Sequence, residues 1–134
     1  MNNSVSKFNL MITGITRDSS KSIKQDVYHL KQACSGFEAI HWLVVESDSN
    51  DETVSILEAL SNEIANFHYL SLGHLSDKIP SRTERIAHCR NAYLAELNSN
   101  ESFRDIDYVL ISDLDGLNTD LSKEAISSCF DRDD

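Results

Sequence analysis

Ala39-Ile40-His41-Trp42-Leu43-Val44-Val45 runs almost without a polar break into Glu46-Ser47-Asp48-Ser49-Asn50-Asp51. A strand with one solvated face alternates apolar and polar residues, whereas a strand buried on both faces is apolar throughout. The run therefore predicts a buried strand of a parallel sheet. Ser49 and Glu52 stand at capping-box spacing, which predicts a helix start. Val54, Leu57, Leu60 and Ile64 then fall on one face of that helix.

The same unit repeats on both sides of this stretch. Phe8 to Thr13 is a short apolar run that is expected to break at Gly14. Ser19 and Ser20 offer N-caps for a helix carrying Ile23, Val27, Leu30 and Cys34 at helical spacing, and Gly36 ends it. Phe67 to Leu72 reads as a third strand closed by Gly73, followed by a loop to Pro80. Ser81 and Glu84 form a second capping-box pattern, opening a helix to about Asn98. A polar turn at Asn98 to Glu101 leads to a fourth strand, Ile106 to Ser112. Asn118 or Asp120 could cap a last helix containing Leu121, Ala125, Ile126, Cys129 and Phe130. Four such alternations predict an α/β fold: one Rossmann-like domain over residues 1–134, a mostly parallel sheet with helices on both faces. Ligands of such sheets sit at the carboxyl ends of the strands. Here those ends are Thr13-Gly14, Glu46 to Asp51, Gly73-His74 and Asp113 to Gly116.

A length of 134 residues suits one domain with one core. The net charge of −10 argues against nucleic acid or an anionic membrane as partner. Any phosphate site must then be built from local arginines or a metal. Cys34, Cys89 and Cys129 have no paired spacing, so buried free thiols are expected rather than a zinc or disulfide motif. The five histidines form no i, i+4 pair around a glutamate and read as structural or surface residues. Met1 to Lys7 lacks the apolar core of a secretory signal, and no stretch approaches the ~18 apolar residues of a membrane span. The expected location is cytoplasmic, for a chain that is complete or cut from a longer one, with no transmembrane segment.

Asp113-Leu114-Asp115 closes the fourth strand. In extended backbone, residues i and i+2 point to one side, so both carboxylates can face one site. At ~5 Å and an effective dielectric of ~20 they repel by roughly 3 kcal/mol. A proton, an arginine, a metal or solvent must offset that, and an acidic turn after a buried strand accounts for the pair equally well. Arg90 lies between Ile86 and Tyr93 at helical spacing and is expected to start on the core-facing side, needing an anion such as Asp113 or Asp115. It either braces an aspartate or binds phosphate. Arg82 and Arg85 in the first turn either reach a phosphate, aided by the helix N-terminus, or are solvated. Glu46 and Asp48 could accept hydrogen bonds from a nucleobase or ribose, or simply form a polar loop and a helix cap.

Val44 to Thr53, then Arg85-Ile86-Ala87-His88-Cys89-Arg90-Asn91, then Val109 to Asp115 resemble the nucleotide-binding half of GT-A glycosyltransferases, in order and in spacing. The glutamate-serine run and the arginine-asparagine pair are similar to capsule-associated and related mannosyltransferases. The resemblance implies a metal-dependent transferase that takes a sugar from a UDP- or GDP-sugar donor to an unknown acceptor, in the manner of surface polysaccharide synthesis. It implies Mn²⁺ or Mg²⁺ on Asp115 with Asp113 sharing the metal or holding the ribose. Glu46 and Asp48 would line the nucleoside pocket with Thr13 and Gly14, and Arg85 and Arg90 would serve the diphosphate or brace the aspartates. The family's acceptor site and base follow the acidic motif. Only residues 116–134 follow it here, so the acceptor-binding part is expected to be missing, and no base is assigned.

Two other readings compete. Asp113-Leu114-Asp115-Gly116 also resembles the first motif of haloacid-dehalogenase-like phosphatases, with Asp113 as nucleophile and Asp115 as acid/base, but Leu117 stands where that family has threonine. A non-catalytic α/β binding module is the third possibility. A P-loop is excluded, because Gly14 to Ser22 has the wrong spacing and lacks the second glycine.

Overall fold

The computed structural model describes residues 6–112 and residue 114. Its elements are β1 (Asn9–Thr16), α1 (Ile23–Ala33), β2 (Ala39–Glu46), α2 (Thr53–Glu63), β3 (Phe67–Ser71), α3 (Arg82–Ser99) and β4 (Tyr108–Ile111), with single 3₁₀ turns at Leu75–Asp77 and Glu101–Phe103. The four strands form one sheet in the order β3-β2-β1-β4, and every pairing is parallel. The α/β expectation therefore holds.

The apolar runs are continuous because the two sheet faces meet different helices. Leu10, Ile12, Trp42 and Val44 pack against Ile23, Val27 and Leu30 of α1 and Leu57 and Leu60 of α2. Their sequence neighbours Met11, Leu43 and Val45 point the other way, onto Cys89 and Tyr93 of α3 and onto Phe103. Period-two side-chain direction thus distributes one hydrophobic run between two cores. Helix α3 crosses back over β2 and β1 to deliver β4 to the far side of β1. The strand order reverses between β1 and β4, which makes their carboxyl ends a topological switch point.

Several boundaries differ from the sequence expectation, each for a local reason. Strand β1 does not break at Gly14 but runs on to Thr16, because Gly14, Ile15 and Thr16 keep pairing with Val44, Val45 and Glu46. Helix α1 is capped by position 22, not by Ser19 or Ser20; the Ser19 carbonyl instead accepts from the Ser22 and Ile23 amides. The Ser49–Glu52 capping box does not form, since the Ser49 hydroxyl accepts from the Asp18 amide. Asp51 takes over the start of α2, accepting from the amide and hydroxyl of Thr53. The Ser81 cap does form, accepting from the Glu84 amide at 3.4 Å. The buried stripe of α3 is Cys89 and Tyr93, flanked by half-buried Ile86 and Leu97; Ala87 and Leu94 lie outside it, exposed. The expected fourth strand shortens to Tyr108–Ile111. The proposed last helix and Cys129 lie outside the described residues. Cys34 and Cys89 are free and buried, as expected, and burial pushes the Cys34 thiol up to about 12.

The two-core arrangement predicts how truncations rank. Leu57→Ala, at a fully buried α2 position, is expected to cost about 2–5 kcal/mol of unfolding free energy. Leu94→Ala, 47% exposed on α3, is expected to change it by less than about 0.5 kcal/mol. Urea unfolding of the two variants beside the parent chain checks both.

Candidate functional site

The site grows from the ends of three strands. The Thr16 carbonyl, last in β1, accepts from the Ser47 amide just past β2 at 3.4 Å. Its hydroxyl donates to the Leu114 carbonyl at 3.0 Å, three residues past β4, and forms a short contact with the Ser19 hydroxyl. The Leu114 amide donates to the Ile15 carbonyl, and the Leu114 side chain is buried in the α1–α2 core. The chain between the two aspartates of the acidic motif therefore passes the end of β1. Asp113 and Asp115 themselves lie outside the described residues.

The loops after β1 and β2 are clasped together. Asp18, in the left-handed region at φ 47°, accepts from the Asn50 amide through Oδ1 and donates its own amide to Ser49. The Ser19 amide donates to the Thr53 hydroxyl, and the Ser20 amide donates to Asp51. Burial works against ionised Asp51, but the hydrogen bonds from Thr53 and Ser20 outweigh it and hold the carboxyl below the usual range.

Asp48 is the centre of the next loop. It too is left-handed, at φ 58°, a conformation that aspartate tolerates better than most residues. Its amide donates to the Gly73 carbonyl at 2.8 Å, and its Oδ1 accepts from the Ser76 amide at 2.9 Å. This ties the 73–80 loop to the end of β2. Gly73 makes the turn at φ 71°, with open space where a Cβ would stand, so its requirement is conformational and not steric. Arg85 locks the loop from the other side, donating through Nη1 to the Ile79 and Pro80 carbonyls at 2.9 and 2.7 Å. Its Nε lies 3.7 Å from Asp48 Oδ2, too far for a hydrogen bond. Asp48 is only 3% exposed, and its Oδ2 accepts no hydrogen bond. Burial alone would raise its pKa; the Ser76 hydrogen bonds, with help from Ser47 and the Arg85 charge, bring it below the ordinary carboxylate value.

These parts surround a cleft of about 190 Å³ lined by Ile15, Thr16, Arg17, Ser47, Asp48, Arg82, Arg85, Ile86, Cys89 and Arg90. Four of the chain's six arginines (the others are Arg104 and Arg132) meet here in a protein of net charge −10. Among the described residues the lining holds one carboxylate, Asp48. The cleft is smaller than the ~300–1,000 Å³ typical of drug-sized sites, so it suits part of a larger ligand.

The expected site residues fare differently. Thr13 and Gly14 sit inside β1, not at its edge; the Thr13 hydroxyl is fully buried and donates to the Leu43 carbonyl. The edge passes to Thr16 and Arg17. Glu46 is buried and both its oxygens are occupied, by the Ser71 hydroxyl and the Ser49 amide. It braces the strand end. Asp48, Arg85 and Arg90 do line the cleft together. Arg90 does not turn into the core: it is exposed, because its position flanks the Cys89–Tyr93 stripe and a long side chain can run out to water from there. Arg17 lines the cleft without having been among the expected site residues; it directly follows the end of β1, which the expected break at Gly14 concealed. Among the described residues no group of three or more His, Cys, Asp or Glu side chains could hold a metal. No described helix is long and apolar enough to cross a membrane.

No family model matches the chain, and no curated protein does. Among solved structures the chain is similar to S. aureus TarS, residues 1–349, a glycosyltransferase, with a TM-score of 0.57 and 20% identity. The match covers 92% of this chain and 32% of the TarS chain, so the chain spans about a third of the protein it resembles. At this identity the likeness shows the fold alone.

The loop clasp carries a pH signature. The Asp51 carboxyl is depressed in the folded chain, so its stabilising effect is present above the unfolded value of about 3.9 and fades as pH falls below it. Asp51→Asn is expected to lower the melting temperature at pH 7, with the gap to the parent starting to narrow only below about pH 4 and persisting at pH 3, because the folded carboxyl titrates well below the unfolded one; melting curves from pH 7 to pH 3 check it.

Proposed function

We propose that this chain is the donor-binding half of a glycosyltransferase, taking a nucleoside diphosphate sugar, a UDP- or GDP-sugar, in the cleft between β1, β2 and α3. One observation carries the reading. Asp48, whose buried Oδ2 accepts no hydrogen bond, lines a cleft that also gathers four guanidiniums. Leaving such an oxygen unsatisfied costs about 1–3 kcal/mol, which a ligand N–H or O–H would recover. The complementary ligand therefore carries both negative charge and a hydrogen-bond donor. A nucleotide has both, in its phosphates and in its base imide or ribose hydroxyls.

In this reading Asp48 accepts from the nucleoside, and the arginines face the phosphates. Arg85, held by two carbonyls, fixes the height of the 73–80 loop that walls the pocket. Asp113 and Asp115 would hold Mn²⁺ or Mg²⁺, a hard cation that neutralises charge on the departing nucleoside diphosphate. The Leu114 main chain, between the two aspartates, is bonded to Thr16 and Ile15, which line the cleft. The acceptor, the sugar and their part in surface polysaccharide synthesis belong to the wider proposal and rest on resemblance.

Titration calorimetry with UDP, GDP and their sugar conjugates tests the reading. Binding at micromolar to millimolar Kd is expected, weakened about tenfold or more by Asp48→Asn, since a charged acceptor becomes a neutral one. Asp115→Ala is expected to abolish any Mn²⁺-dependent increment. Absence of nucleotide binding would overturn the proposal, and turnover of simple phosphoesters lost in Asp113→Asn would replace it with the phosphatase.

A further inference from the structure

We infer that residues 121–130 pack as an amphipathic helix on the bare face of β4, so that the chain itself covers the α3 side of the sheet beyond β1. Strand β4 is covered on one face and open on the other. Tyr108 and Leu110 pair with Leu10 and Ile12 and pack with them against the α1–α2 core. Val109 and Ile111 pair with Met11 and Thr13 and so point to the other face, where Met11 meets Cys89 and Tyr93 of α3. Helix α3, however, lies over β2 and β1. Val109 and Ile111 are left 45% and 57% exposed, two of the four large apolar side chains exposed among the described residues, and they share one strand face. The other wall of this groove is a flank of α3. Arg85 reaches the loop that follows β3, and at 3.6 residues per turn Ile86 and Leu97 lie on the opposite flank, toward β4. Leu97 and Ile106, just ahead of β4, belong to one apolar cluster.

The occupant follows directly in the sequence. Residues 115–134 continue from Leu114, whose amide and carbonyl are bonded to Ile15 and Thr16 at the end of β1. Within them Leu121, Ala125, Ile126, Cys129 and Phe130 fall on one half of a helical wheel, and Asp120, Lys123, Glu124, Ser127 and Asp131 fall on the other. A short helix with such a stripe depends on an apolar surface that buries it. The length fits as well. Ten helical residues span about 15 Å, against roughly 13 Å for the four residues of β4, and positions 115–120 provide the turn between them. Handedness selects the same face: α3 carries the chain outward from β3 past β1 to β4, and a helix continuing in that direction keeps the right-handed sense on the α3 side. The opposite face of β4 is already taken by the α1–α2 core. The covalent link at Leu114 also holds this segment beside the groove at a high effective concentration, an advantage that a second copy of the chain lacks. This packing is independent of what the cleft binds.

The test is disulfide trapping in the full chain, because Cys129 lies in the proposed stripe while Cys34 and Cys89 are buried. Val109→Cys and Ile111→Cys, each as a mixture of unlabelled and ¹⁵N-labelled protein, are oxidised under native conditions and mapped by mass spectrometry. The expected result is a disulfide from position 109 or 111 to Cys129 within one chain. Its yield is expected to exceed by about tenfold that from Tyr28→Cys, an exposed control on α1 across the sheet. Melting curves supply a second readout. Ile111→Ser and Ile126→Ser are each expected to lower the melting temperature by a few degrees, and together by less than the sum, as residues in contact do. Disulfides that join labelled to unlabelled chains would overturn the inference and assign the face to a second copy. Cross-linking no better than the Tyr28→Cys control at both positions, or melting shifts that simply add, would also overturn it.

Discussion

Thr16 joins the strand ends on which everything else at the carboxyl edge depends. Its carbonyl holds the start of the loop after β2, and its hydroxyl holds the chain emerging from β4. These strands lie on opposite sides of β1, so one residue spans the reversal in strand order. A backbone group and a side-chain group of the same residue cannot move independently. The cleft floor is therefore held from both sides, and of the lining residues only Arg17, Ser47 and Asp48 sit on loops, the rest belonging to β1 and α3. The Asp18, Asp51 and Asp48 hydrogen bonds extend that rigidity outward, converting three flexible connections into one hydrogen-bonded rim.

Charge is segregated with the same economy. The chain as a whole is acidic, yet its cleft is cationic. The surrounding negative field would repel an anionic ligand at long range, while salt screens that repulsion beyond about 8–10 Å. Inside the cleft the arginines act at hydrogen-bond distance, where screening is weak. On the proposed reading, selectivity for phosphate would come from local geometry and not from long-range attraction, which separates such a cleft from a general polyanion-binding surface.

How much of this the residues announce depends on the range of the interaction. Continuous apolar runs such as Trp42 to Val45 specified a parallel sheet, because only burial on both faces permits them. The Ser81–Glu84 pattern located the start of α3, since its partners are three residues apart. Ser49 and Glu52 carried the same pattern and failed, because Asp18, remote in sequence, took the Ser49 hydroxyl. Gly14 misled for a similar reason: a glycine often ends a strand, but pairing with Val44 carried β1 past it. Glu46 and Asp48 were legible as a pair at a strand end and indistinguishable in role. Only the tertiary contacts separate them, one with both oxygens hydrogen-bonded and one with an oxygen that faces Arg85 without a hydrogen bond. The convergence of Arg17 with the α3 arginines likewise depends on how β1 and α3 meet, which no local pattern encodes.

Asp48 joins two demands that most proteins keep apart. Its left-handed backbone makes the turn that seats the 73–80 loop, and its side chain carries a buried oxygen that accepts no hydrogen bond. Glycine at this position would keep the turn and lose the acceptor; a branched residue would strain the turn whatever its chemistry. Asparagine keeps the turn and a neutral acceptor, and few other side chains come close. The paths by which this position can drift are correspondingly narrow. A lineage that changes its ligand here must pass through asparagine or glycine, or rebuild the loop at the same time.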